Sequence, residues 1–275
     1  MGELNFFKSK PKVANIDVDA YLKRIGENRD KPTLGYLRKL HRAHLLSIPF
    51  ENLDIHYQKK IVLDFTKIFE KIILRRRGGY CYELNGLFYQ FLYHLGFECK
   101  IISARVWNEN SAEFGKEYDH MAIVVLLEGE EFLVDVGFGK GMIYPKKIEE
   151  NVVQMDYTNY WRFQKDPDEN YLLQISEDAS VFTSRYAFSK ESKEIIQFME
   201  MNEFHQRAQS STFTDNKMIT RLTETGRITL TDRKFKELKL GETHETEITN
   251  EDEFLSKLEQ HFGITFQELI LREQK

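Results

Sequence analysis

The spacing of hydrophobic positions changes along the chain, and the change marks its organisation. Up to about residue 96 apolar side chains recur every three to four positions, the period of one helix face. Residues 19–25 carry Ala20, Tyr21, Leu22 and Ile25; residues 33–46 carry Leu34, Leu37, Leu40 and Leu45; residues 64–76 carry Phe65, Ile68, Phe69, Ile72 and Ile73. The second of these helices has to stop near Ser47, because Pro49 disfavours α geometry at Ile48. A fourth helical run, Leu84, Leu87, Phe88, Phe91, Leu92 and Leu95, ends at Gly96, a stop signal. From Phe97 the period becomes two, with Phe97, Cys99 and Ile101 alternating with Glu98, Lys100 and Ile102, so a strand is predicted there. Residues 120–127 and 131–136 read as a hairpin around Glu128-Gly129. Further strands are predicted at 160–164, 171–175 and 227–230, and helices at 191–206 and 251–262, the last stopped by Gly263. These changes of period place boundaries near residues 97 and 205, with no internal repeat and no low-complexity linker.

The fourth helical run begins in the stretch Arg77-Gly78-Gly79-Tyr80-Cys81-Tyr82-Glu83-Leu84-Asn85, which sets one of the two cysteines in a first helical turn. Unpaired N–H groups and the positive end of the helix dipole favour thiolate there, which makes Cys81 a candidate nucleophile. The two glycines suit positive φ or a close backbone approach. For a cysteine taken alone, a small buried hydrophobe after a turn is the better reading, and other residues have to overturn it. Cys99 lies on the apolar face of its strand and reads as packing.

A cysteine nucleophile needs a base, and the base an orienting acceptor. Of the histidines, His41 and His44 fall inside a predicted helix, His94 lies far along the Cys81 helix, and His244 and His261 stand in charged stretches. His120 opens an apolar strand whose hairpin partner carries the lone acid Asp135. A two-residue turn sets Asp135 opposite Ala122 and makes His120 its same-face diagonal neighbour, roughly 7 to 8 Å away at the backbone. A three-residue loop would put the two on opposite faces. An ordinary buried His-Asp pair without catalytic role satisfies the same pattern.

Composition narrows the partners. The 275 residues carry a formal net charge of -5, which offers no global attraction to nucleic acid or to an anionic membrane. Within Arg75-Arg76-Arg77 adjacent side chains on a helix point apart, so most of that run reads as solvated. Two cysteines, an N-terminus without basic and apolar signal regions, and apolar runs too short to span a bilayer suggest a reducing cytoplasm. Phe6 stands where a myristoylation signal wants Ser or Thr. Dispersed histidines and distant cysteines give no metal-ligand spacing.

The residues resemble the arylamine N-acetyltransferase family. The resemblance rests on Ile48-Pro49-Phe50-Glu51-Asn52-Leu53, the nine-residue cysteine motif, Asp119-His120, and Val134-Asp135-Val136-Gly137-Phe138-Gly139, with looser matches around Gln209-Ser210-Ser211-Thr212-Phe213 and Thr225-Gly226-Arg227. It implies an α+β fold: a helical N-terminal domain (1–96) carrying the nucleophile, a central β-barrel (97–205) carrying the histidine and aspartate, and a C-terminal α/β lid (206–275), built around a triad related to those of papain-like proteases and transglutaminases. It implies Cys81, His120 and Asp135 as the triad, acetyl-CoA as acyl donor, aromatic amines or hydrazines as acceptors, and no metal. Glu51 and Arg77 match a structural ion pair, Gly137, Phe138 and Gly139 the acyl-pocket loop, and Val106 and Phe138 the acceptor site. Ser210 and Ser211 are candidates for contact with CoA. A cysteine hydrolase or transglutaminase-like enzyme using the same triad, and a catalytically silent binding module of the same fold, are the rival readings.

Overall fold

The computed structural model describes residues 13–157 and 159–270; the reading of residues 1–6 falls outside them. Helices α1 (Val18–Ile25) and α2 (Leu34–Ser47) form where the periodicity predicts them. Each has a polar cap, Asp17 accepting from the Ala20 N–H and Thr33 from the Tyr36 N–H. Past Pro49 come β1 (Phe50–Glu51), the short α3 (Leu53–His56) and α4 (Phe65–Phe69).

The helix predicted over 64–76 is not continuous. After α4 the chain widens into a π-helical turn, Glu70–Leu74, closed by the Arg75 N–H on the Glu70 carbonyl at 2.9 Å. The wide turn brings Lys71 onto two buried carboxylates, Asp54 at 2.7 Å and Glu83 at 2.8 Å. Tertiary ion pairing thus overrides the regular period. Arg77 is not solvated either; it is buried against Glu51 at 2.7 Å and Asp54 at 2.8 Å.

Helix α5 (Cys81–His94) is buried over every residue from 81 to 92, as a helix enclosed on all sides must be. Helices α1 and α4 cover it from one side and strands of the large sheet from the other. That sheet comprises β2 (Glu98–Asn108), β3 (Glu113–Phe114), β4 (His120–Leu127), β5 (Glu130–Val134), β6 (Lys146–Lys147), β7 (Gln154–Asp156), β8 (Asn159–Lys165), β9 (Tyr171–Ser176) and β10 (Thr183–Phe188). Its order is β6-β5-β4-β2-β10-β9-β8-β7, with β3 on β2, and it curls into a barrel-like wall. Cys99 on β2 is fully buried against α5, its thiol 3.8 Å from the Tyr89 carbonyl.

The single helix predicted over 191–206 is also divided. Lys193 still bonds like a strand to the Ile101 carbonyl at 2.8 Å, a 3-10 turn covers Ile195–Phe198, and only then does α6 (Met199–Arg207) begin. The chain continues through α7 (Thr212–Asp215), β11 (Met218–Thr223), β12 (Gly226–Thr231), β13 (Lys234–Lys239), β14 (Glu242–Glu247), α8 (Glu251–Phe262) and α9 (Phe266–Ile270). A second sheet, β1-β11-β12-β13-β14, packs one face on α8 through Ile219, Ile228, Leu230, Phe254 and Leu258. The architecture is α+β, as expected. No helix among the described residues is long and apolar enough to cross a membrane.

Candidate active site

Cys81 is the first residue of α5, reached through a tight approach of strand and turn. A Cβ on Gly78 would stand 2.1 Å from the Pro49 carbonyl, so close contact rather than positive φ requires glycine there. The Glu83 carboxylate caps the helix start, accepting from the Tyr80 N–H at 3.1 Å. The helix start does not by itself make Cys81 a thiolate. Burial pushes the thiol well above its ordinary range and the charges of Asp119 and then Asp135 push it further, against the opposing bonds of the Met121 and Tyr82 amides. The sulfur therefore needs a proton acceptor.

The hairpin supplies one. Glu128 and Gly129 both take positive φ, 53° and 81°, and Leu127 pairs with Glu130 and Ile123 with Val134. Asp135 lies one residue beyond β5, and His120 Nε2 donates to its Oδ2 at 2.7 Å. With Nε2 committed to the carboxylate, Nδ1 is the ring nitrogen open to a proton. Asp135 is buried and accepts three further bonds: Asn85 Nδ2 at 2.8 Å and the Gly137 N–H at 3.0 Å on Oδ1, and the Tyr186 hydroxyl at 3.0 Å on Oδ2. Burial opposes its charge, but the His120 charge and bonds from His120, Asn85 and Gly137 hold its carboxyl below the usual range.

Three of these partners carried no role in the sequence reading. Asn85, one turn after Cys81, also accepts from the Val136 N–H at 2.9 Å, so helix spacing within the motif was its only signal. Tyr186 comes from β10, a strand the pattern did not show. His41, which the sequence places only inside a predicted helix, accepts the Asp135 backbone N–H at 3.3 Å through Nε2 and donates Nδ1–H to the Ile143 carbonyl at 2.8 Å. Burial lowers it to about 4, which keeps it neutral and able to accept.

A cavity of about 330 Å³ opens on Cys81 and His120. Val106, Gly137, Phe138 and Gly139 line it as well, so the predicted pocket residues come together. A Cβ on Gly137 would lie 2.8 Å from the Cys81 Cα, which fixes glycine at that position. Ser210 is exposed, and Ser211 spends its hydroxyl on the Phe213 N–H and on His205; the adjacent Thr212 and Phe213 reach the lining instead. The cavity also holds a second histidine-carboxylate contact, His205 Nε2 at 3.3 Å from Asp119 Oδ1, while Asp119 Oδ2 accepts from the Val106 N–H at 3.3 Å. Sequence distance concealed this pair.

Known proteins are similar to this chain in sequence and in fold. A family model described as N-acetyltransferase matches residues 33–270. Arylamine N-acetyltransferase 1 of Bos taurus is 29% identical, the match covering 92% of this chain and 95% of the relative. The arylamine N-acetyltransferase / N-hydroxyarylamine O-acetyltransferase of Salmonella typhimurium is 30% identical over 85% of this chain and 83% of its own. Among solved structures, an arylamine N-acetyltransferase of Mycobacterium smegmatis superposes with a TM-score of 0.85 at 30% identity, covering 94% of this chain and 96% of that one. A Bacillus cereus arylamine N-acetyltransferase described as having a unique Cys-His-Glu catalytic triad gives 0.84 at 27%, covering 92% and 100%. Matched over most of its length in sequence and in fold, the chain belongs to the arylamine N-acetyltransferase family of acyltransferases.

Proposed function

We propose that the protein transfers the acetyl group of acetyl-CoA to aromatic amines or hydrazines by a ping-pong route through acetyl-Cys81. The observation that carries this reading is Cys81 in one cavity with a histidine whose Nε2 is fixed on a buried carboxylate. The Cys81 proton passes to His120 Nδ1 as the sulfur attacks the thioester carbonyl; collapse of the tetrahedral intermediate returns that proton to the CoA sulfur, which leaves as CoA. The amine then attacks acetyl-Cys81 and its surplus proton goes to His120, from which the leaving Cys81 sulfur regains it. Phe50, Phe138, Phe213 and Met218 in the lining exclude water and protect the thioester from hydrolysis.

Residues 1–96 supply the nucleophile, residues 97–205 the histidine and aspartate, and residues 206–275 serve as the lid. Lys140 and Arg185 bring positive charge to the cavity for the coenzyme's phosphates; the Arg185 Nε is buried with no protein partner among the described residues. Both cysteines are free thiols, and we place the enzyme in the reducing cytoplasm. The test is intact mass after incubation with acetyl-CoA. One acetyl group on Cys81, stable alone and discharged by an aniline as acetylated amine, is the expected result, and none forms in Cys81→Ala. CoA release unaffected by the aniline, with no acetylated amine, would establish a hydrolase; no mass gain would establish a silent module.

A further inference from the structure

The catalytic cavity holds a second carboxylate, which proton transfer through His120 leaves unused. Asp119 lines the cavity with Cys81, His120 and His205, and Tyr82, the residue after Cys81, donates its hydroxyl to the Asp119 carbonyl at 3.3 Å. The carboxylate is set in place from three sides. Oδ2 accepts the Val106 N–H at 3.3 Å, Oδ1 lies 3.3 Å from His205 Nε2, and a Cβ on Gly115 would collide with Oδ2, so glycine there makes the room. His205 is itself fixed. Its Nε2 also faces the Asp119 carbonyl at 3.2 Å, its Nδ1 faces the Ser211 hydroxyl at 3.2 Å, and its ring stands perpendicular to Phe213 with centroids 4.9 Å apart. Both oxygens beside Nε2 are acceptors, so that nitrogen carries a proton.

The two carboxylates of the site differ in what they still offer. An ionised carboxylate has about four acceptor positions, and Asp135 fills them with His120, Tyr186, Asn85 and Gly137. Asp119 takes one backbone N–H and the His205 contact, and its side chain stays 20% exposed against 1% for Asp135. Neither Lys140 nor Arg185 of the same cavity forms an ion pair with it among the described residues. Its spare acceptor capacity opens on the cavity.

We propose that Asp119, held by His205, is a second catalytic carboxylate: it accepts an N–H of the amine that attacks acetyl-Cys81, and so selects acceptors with an NH2 group over secondary amines. The role rests on the ping-pong route through acetyl-Cys81. The amine nitrogen bonds to the thioester carbonyl carbon, the C=O pair moves to oxygen, and a primary nitrogen becomes a cation with two hydrogens. One leaves as a proton to His120; the C–S bond then breaks and the Cys81 sulfur takes that proton. The other stays on nitrogen as the N–H of the product amide, donated throughout to Asp119. The same charge that opposes a thiolate at Cys81 favours a cationic nitrogen on the acetyl carbon. A secondary amine brings one hydrogen, which His120 takes, and none is left for Asp119.

The two half-reactions are measured apart on the full-length enzyme, by rapid quench and intact mass, in wild type, Asp119→Asn, His205→Gln and the double variant. Acetyl-CoA alone reports acetyl-Cys81 formation, and aniline or N-methylaniline added to isolated acetyl-enzyme reports its discharge. Asparagine keeps an acceptor oxygen and loses the charge. Asp119→Asn is expected to slow discharge by aniline about tenfold, and discharge by N-methylaniline about threefold or less, because a hydrogen bond to a charged acceptor is the stronger one. Acetyl-Cys81 formation is expected to quicken in the same variant. His205→Gln loosens Asp119 and is expected to lower the preference for aniline in the wild-type background but not in Asp119→Asn. Equal slowing with both amines, an unchanged aniline rate in Asp119→Asn, or the same loss from His205→Gln in both backgrounds overturns the proposal. His205→Gln tests it without touching the carboxylate, and an unchanged preference there overturns it as well. Wild type that forms no acetyl-Cys81 overturns the ping-pong route and this proposal with it. Wild type that forms and discharges acetyl-Cys81, while Asp119→Asn keeps the full preference for aniline, overturns this proposal alone.

Discussion

Replacing Asp135 by asparagine changes one atom and disturbs four bonds. The carboxylate takes His120 and Tyr186 on one oxygen and Asn85 and Gly137 on the other. An amide offers one acceptor oxygen, so its NH2 faces a pair of donors whichever way it lies. Keeping the oxygen on the Gly137 N–H and Asn85 places the NH2 against His120 Nε2 and Tyr186. That NH2 can donate to the Tyr186 hydroxyl oxygen, but toward His120 it needs Nε2 as an acceptor, which moves the ring proton to Nδ1, the nitrogen proposed to receive the proton of Cys81. In other enzymes the same neutralisation of a triad acid costs about 10⁴ in rate, or about 5 kcal/mol of transition-state stabilisation. Loss of proper acceptors for buried donors at about 1–3 kcal/mol each gives a stability loss of about 2–4 kcal/mol. Rapid-quench measurement of acetyl-Cys81 formation by intact mass, beside urea unfolding, separates the two effects. Acetylation within about threefold of wild type in a folded Asp135→Asn protein would refute the tautomer argument, since the expected loss is on the order of 10⁴.

Asp119 contributes the largest charge effect on the Cys81 thiol. Asp119→Asn, which can keep the contact with His205, is expected to move the pH midpoint of Cys81 alkylation downward and to raise the rate at pH 7 roughly threefold or more; an unchanged or higher midpoint contradicts it. Gly137→Ala drives a methyl to 2.8 Å from the Cys81 Cα. The expected result is a loss of about 1–3 kcal/mol in urea unfolding together with a sharp fall in acetyl-enzyme formation, and full activity would show that the loop yields. His41 sits at about 4 and His44 well below 6.5, in each case by burial first. Both are neutral in the fold and take up a proton on unfolding, so their contribution is intact above about pH 6.5 and is lost as pH falls toward 4. Stability is expected to decline by about 1.4 kcal/mol per pH unit for each histidine below pH 6, and a flat profile between pH 7 and pH 5 in urea titrations would contradict it.

What the sequence determined by itself is local or carried by short connections. The helix starting at Cys81 follows from the spacing of Leu84, Leu87, Phe91 and Leu95, and the His120-Asp135 contact follows from a two-residue turn that fixes register over a few residues. The lining residues Val106, Phe138 and Gly139 became legible only through the family resemblance, since nothing in their own spacing points to a cavity. Tertiary structure decided the rest. The Glu70–Leu74 turn departs from its helical period because buried Asp54 and Glu83 need Lys71. Strand β14 lacks an apolar face because it stands at the sheet edge, where every one of its residues is exposed, and its neighbour β13 buries only Phe235. His41, Tyr186 and His205 reach the site across 94, 51 and 86 positions, in contacts with Asp135 and Asp119. No periodicity records such contacts, because a side chain's partner across a fold is set by how whole elements pack. The same holds for Cys81: a helix start argues for thiolate, and burial beside two carboxylates, which only the tertiary structure sets, opposes it.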